Sequence, residues 1–110
     1  MKLDNYISQI EFIDIYINEK YGTTTLYFSA PKEMLDGKYS EAEFMTISIE
    51  FPTDHHEASD THVECSPTEY DEETDSYTDY DWFDVDMSYE DIDKLFVIYE
   101  MWIKQFNKGE

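Results

Sequence analysis

Three histidines and the only cysteine of the chain, His55, His56, His62 and Cys65, fall close together and are all of zinc-ligating type. Zinc needs four such donors at the corners of a tetrahedron, and structural sites usually supply them as closely spaced pairs. The segment contains neither a CxxC nor an HxxxH pair, so these residues are expected to be loop histidines and a buried strand cysteine. Asp79, Asp81 and Glu90 match positions one, three and twelve of a calcium-binding EF-hand loop, where carboxylate oxygens are required. Phe83 and Asp84 then occupy the fifth and sixth positions, which call for an oxygen ligand and a sharply turning glycine. Weak cation binding to the acids is expected, and a true calcium loop is not. Paired carboxylates abound, but general acid–base work needs a carboxyl whose pKa is raised by burial, and these acids lie in a polar run among like charges. Gly22, Gly37 and Gly109 stand apart, so no phosphate-cradling loop is present in the sequence. The expectation is a protein that is not an enzyme and uses no cofactor.

What the residues can do is attract positive charge. The 110 residues hold 27 Asp and Glu against 7 Lys and Arg, all of the latter being Lys, for a formal net charge of -20. Direct binding to nucleic acid by an ordinary basic surface is thereby excluded. The charge is uneven: the 55 residues between Lys38 and Lys94 contain 19 acids and no base, whereas the remainder of the chain is close to neutral. The densest stretch is YDEETDSYTDYDWFDVDMSYEDID, from Tyr70 to Asp93. On a strand, Asp84 and Asp86 would point the same way at ~6.8 Å, of the order of the interval between phosphates on one nucleic-acid strand. The expected partner-binding surface comprises Asp71, Glu72, Glu73, Asp75, Asp79, Asp81, Trp82, Asp84, Asp86, Glu90, Asp91 and Asp93, with Trp82 as an aromatic anchor.

Disorder would be the default for so acidic a chain, but 19 Phe, Tyr and Trp supply apolar area for a core. The length suits one domain spanning 1–110. Alternation predicts a strand over 10–18, with Ile13, Ile15 and Ile17 on one face and Phe12, Asp14 and Tyr16 on the other, then a turn at 19–22 and a partner strand over 23–29. A compact loop or short helix is expected at 30–37. A third strand over 43–51 turns Met45, Ile47, Ile49 and Phe51 inward. A fourth is expected around 61–66, an acidic turn-rich stretch over 67–78, and a last strand over 79–87. Ser88 followed by Glu90 and Asp91 reads as a helix start, and Ile92, Leu95, Phe96, Tyr99, Trp102, Ile103 and Phe106 recur at helical spacing. The fold class expected is α+β: an antiparallel sheet of four or five strands with a C-terminal helix packed across it. No apolar run is long enough to span a bilayer, and the first residues lack the apolar core of a secretory signal, so an intracellular protein is expected.

In size, acidity and the run from Tyr70 to Asp93, the chain resembles the small acidic DNA-mimic inhibitors of phages and mobile elements, of the anti-CRISPR and anti-restriction kind. The resemblance implies a monomer or homodimer in the cytoplasm of a bacterial host. It also implies a basic DNA-binding partner, a nuclease, whose nucleic-acid site is blocked; a CRISPR effector reading its short duplex motif through Arg and Lys is the favoured target. Two alternatives share the same physics: an immunity protein neutralising a basic toxin nuclease, and an acidic cation-binding module.

Overall fold

The computed structural model describes residues 7–35, 42–54, 60–80, 82–85 and 87–108. It confirms the α+β class: a curled antiparallel sheet covered on one face by a C-terminal helix. Strand β1 (Glu11–Asn18) and strand β2 (Thr23–Pro31) form the opening hairpin. Its turn needs Gly22, which sits at φ 66°, a backbone region costly for residues with a Cβ. A short 3-10 turn, Lys32–Leu35, leads towards β3 (Phe44–Pro52). β4 (His62–Asp71), β5 (Ser76–Asp79) and the two-residue β6 (Phe83–Asp84) follow, and α1 (Tyr89–Lys108) closes the fold. The sheet runs β1-β2-β3-β4-β5, with β6 beside β5 against the same edge of β4.

The alternation in β2 and β3 dictates the core. Leu26 and Phe28 pair with Ile49 and Ile47, all fully buried. Val63 and Cys65 of β4 continue the layer, and Ile92 and Leu95 of α1 cover it. The helix begins as expected. Ser88 caps it, its hydroxyl accepting from Asp91 N at 3.2 Å, which satisfies one of the amides left open in the first turn.

Four sequence expectations need correction. In β1 the register shifts between Phe12 and Asp14, and this bulge puts Phe12 on the same face as Ile15 and Ile17. Phe12 is therefore the buried member of the strand, edge-on to Phe28 and Tyr99, while Ile13, Ile15 and Ile17 are exposed. A strict period of two cannot register an extra residue and so places Phe12 with Asp14 and Tyr16, whereas the opposition of Ile15 and Ile17 to Asp14 and Tyr16 holds. Second, β4 does not stop at Ser66. It runs through Pro67 to Asp71, because Pro67 sits where the outer neighbour changes from β6 to β5 and no ladder amide is required. Its carbonyl still accepts from Tyr80 N at 2.9 Å. Third, the expected strand over 79–87 is not continuous: β5 ends at Asp79 and β6 covers only Phe83–Asp84. The burial alternation survives the break, with Met87 buried, Phe83 and Val85 packed against the core, and Trp82 and Asp84 exposed. Fourth, Trp102 is not core. It is 41% exposed and leans on Phe12, with ring centroids 4.9 Å apart. The side chain of Phe106 lies outside the described residues.

Cys65 faces the helix side and is fully buried, and burial pushes its thiol up to about 12. Thiolate is the reactive form, so Cys65 is expected to resist a thiol reagent at pH 8 in the native protein. Modification should be fast in denaturant; native labelling at the rate of an exposed thiol would contradict this packing.

Candidate functional site: an acid-lined groove and a charged hairpin tip

The bulge that buries Phe12 also turns Asp14 onto the helix-free face of the sheet, opposite Tyr27 of β2. Tyr27 in turn lies opposite Ser48, Ser48 opposite Glu64, and Glu64 opposite Asp84. One row of side chains thus crosses five strands, with acids at both ends. Beside this row opens a groove of about 630 Å³. Its floor is polar, made by Thr46, Ser48 and Thr68, and its walls carry Tyr27, Phe44, Tyr77 and Trp82. Asp14, Glu64 and Asp79 are its charged lining, and no Lys or His is among the lining residues.

The floor is ordered by a hydroxyl relay. Thr46 and Thr68 hydroxyls are 2.7 Å apart, and Thr68 reaches Asp79 Oδ1 at 2.9 Å. The Asp79 carboxylate and the Ser66 carbonyl, the latter 3.1 Å from the Thr68 hydroxyl, can only accept, so they share the single Thr68 proton and Thr46 donates to Thr68. Tyr27 senses the surrounding charge: burial raises its pKa first, followed by the negative charges of Asp14, Asp79 and Glu50.

Apart from Asp84, which ends the row described above, the described acids of the run from Tyr70 to Asp93 are distributed over three places. Asp71, Glu72, Glu73 and Asp75 are all exposed at the β4–β5 hairpin tip. Asp71 Oδ1 accepts from Glu73 N at 3.0 Å, and Asp75, at φ 51°, accepts from the Tyr70 hydroxyl at 2.5 Å. That hydrogen bond to Asp75 is the main cause of a raised Tyr70 pKa. Tyr70 and Tyr77, ring centroids 4.9 Å apart, brace the base of the tip. Asp79 and Trp82 line the groove. Glu90 and Asp91 sit in the first helical turn near Lys94, at 3.9 and 3.7 Å, where they favour the helix dipole and are partly neutralised. Asp93 is exposed on α1. Asp81 and Asp86, and with Asp86 the expected spacing to Asp84, lie outside the described residues.

The metal-type residues regroup as well. Cys65 points into the core, and His55 and His56 lie outside the described residues. His62 instead meets Glu64 at 3.0 Å and Asp84 at 3.1 Å, the three ligand-type atoms lying within 4.8 Å of one another on an exposed patch. The hydrogen bond to Glu64 is the main cause of a raised His62 pKa, opposed by partial burial and aided by Asp84, Glu64 and Glu50. A histidine whose pKa is raised in the folded state contributes stability that is full below its unfolded value of about 6.5 and is lost as pH rises through the folded value. Wild-type chain and His62→Gln are therefore expected to differ most in melting temperature near pH 5.5–6, with the gap closing towards pH 8–9. A gap independent of pH would refute the charged pairing.

Sequence reasoning missed Asp14, Tyr27, Ser48 and Glu64. Asp14 and Tyr27 lie in the near-neutral half of the chain, and only the β1 bulge and the strand order bring them to the groove. The one signal within reach was the polar face of the third strand, where Thr46 and Ser48 alternate with core residues.

No protein-family model matches this chain, and neither curated proteins nor solved structures include a match to it. Among the described residues, no helix is long and apolar enough to cross a membrane. The functional reading therefore rests on charge and geometry.

Proposed function

We propose that this chain is a non-catalytic inhibitor that presents DNA-like negative charge to the nucleic-acid-binding site of a basic nuclease, a CRISPR effector in the first instance and a restriction enzyme next. The observation that carries the reading is the segregation of charge along the sheet. The stretch without a Lys or Arg builds β3 to β6 and the first turn of α1, whereas among the described residues Lys20 and Lys32 lie in the turns after β1 and β2, and Lys94, Lys104 and Lys108 lie along α1. The field is consequently directional, strongest towards the β4–β5–β6 edge, and suited to steering a basic partner into one orientation. β4 links the two ends of this surface: from Glu64, opposite Asp84, to Asp71 at the tip is ~23 Å at the usual rise per residue. A rigid strand holding carboxylates over that length can span several phosphate positions of a DNA ligand.

Competition tests the proposal. With the nuclease held at fixed concentration, the protein and duplex DNA should exclude each other, and the complex should weaken as salt rises from 50 to 500 mM. Simultaneous binding of both, or a gel-shift of DNA by the protein alone at physiological salt, would overturn the reading. An immunity protein that binds a nuclease away from its DNA site would give the ternary complex.

A further inference from the structure

We propose that the groove on the helix-free face is a receptor for an arginine side chain presented by the partner protein. This deepens the inhibitor reading and rests on it for the identity of the partner as a basic protein. Three features select the ligand. The first is Ser48: only 8% exposed, it lines the groove and its hydroxyl has no hydrogen-bond partner among the described residues. Its hydroxyl is not sealed from solvent but opens into the groove, so it is free to hydrogen-bond a polar atom of a bound ligand in place of water. The second is charge. Asp14, Glu64 and Asp79 approach the same space from β1, β4 and β5 with no cation among the lining side chains, so the complement is a cation. The Tyr27 hydroxyl, whose ionisation is held back first by burial and then by Asp14 and Asp79, faces the same negative charges.

The third feature is shape. Tyr27, Phe44, Tyr77 and Trp82 give the groove aromatic walls, and Phe44 and Tyr77 hold an edge-on pair with centroids 6.1 Å apart. A guanidinium is planar, weakly hydrated and stacks on aromatic faces while its five N–H donors reach carboxylates in the same plane; an ammonium is compact and strongly hydrated and uses such walls less well. The groove volume of about 630 Å³ is typical of sites that enclose a ligand larger than one side chain, so residues flanking the arginine also enter it.

The two tryptophans make the test internal to the molecule, because Trp82 lines the groove and Trp102 packs on Phe12 across the sheet. The indole N–H signals of the ¹⁵N-labelled full chain, assigned with Trp102→Phe, are followed while the peptide Ac-Gly-Arg-Gly-amide is added at 150 mM NaCl. The lysine analogue and agmatine form parallel arms. The expected result is a saturable shift of Trp82 alone, with the lysine peptide and agmatine each at least tenfold weaker than the arginine peptide. Ser48→Ala and Asp79→Asn should each weaken the arginine peptide at least threefold without changing the melting temperature by more than a few degrees.

Equal affinity for the lysine peptide would overturn guanidinium recognition, and equal affinity for agmatine would overturn a protein ligand. A silent Trp82, or parallel shifts of both indoles, would overturn the site itself. None of these readouts contains the nuclease. A silent Trp82 beside intact nuclease binding sinks this inference alone, whereas a Trp82 response beside failed nuclease competition sinks the inhibitor reading alone.

Discussion

Replacing Glu72 and Glu73 together by lysine is expected to weaken the complex with a basic nuclease by about 100-fold or more, equivalent to ~2.7 kcal/mol, while leaving the fold intact. These two positions separate charge from structure within the hairpin tip. Both are exposed, and neither side chain is hydrogen-bonded among the described residues, whereas Asp71 caps the turn and Asp75 holds the Tyr70 hydroxyl. Each reversal shifts the local charge by two units in a region that carries no base. Surface changes of this kind usually alter stability by no more than about 0.5 kcal/mol, and relief of like-charge crowding pushes in the stabilising direction. Melting curves measured beside an inhibition titration give the answer. Inhibition within a few-fold of wild type would show that the tip is not where the partner docks.

The second large effect concerns the core. Leu95→Ala is expected to cost ~3–5 kcal/mol, a large fraction of the total stability of a domain this size, and to lose activity through unfolding. Leu95 is fully buried where α1 crosses the sheet and has no exposed surface through which water could fill the space. Trp102→Ala offers the contrast. Despite its larger ring it should cost less than Leu95→Ala, because 41% of the residue already faces solvent and its main described packing partner is Phe12. Denaturant unfolding of the two variants checks the order, and a larger loss for Trp102→Ala would mean that the helix is held chiefly by its outer edge.

The fold was legible in the sequence where one physical rule acts alone. Met45, Ile47, Ile49 and Phe51 alternate without interruption, and all four are buried as that alternation requires. Ser88 and the acids after it mark a helix start because capping is local chemistry. The reading failed where a single residue breaks a period. The bulge beside Phe12 moved that residue to the face opposite Asp14 and Tyr16, and Pro67 hid the second half of β4 because its tolerance depends on which strand lies alongside. The site divides the same way. The charged tip is contiguous in sequence and could be read as a unit. The groove could not, since Asp14, Ser48, Glu64 and Asp79 become neighbours only through the pairing of β1 with β2, β2 with β3, β3 with β4 and β4 with β5.

β1 ends the sheet, and its outward backbone edge is not paired among the described residues, with Ile13, Ile15, Tyr16 and Ile17 exposed along it. Such an edge is a template for a second strand, and proteins usually guard it locally with lysines, a proline or a covering loop. Among the described residues the bulge and Asp14 interrupt it at one end, and a second protection is the mutual repulsion of whole molecules carrying a net charge of -20. That protection vanishes as the pH approaches the isoelectric point near 4.1, while the pairing groups of the edge do not titrate. Acid should therefore convert dispersed molecules into edge-to-edge β1 assemblies, which gives the acids a role in keeping copies of this chain apart beside the proposed one of drawing a basic partner in.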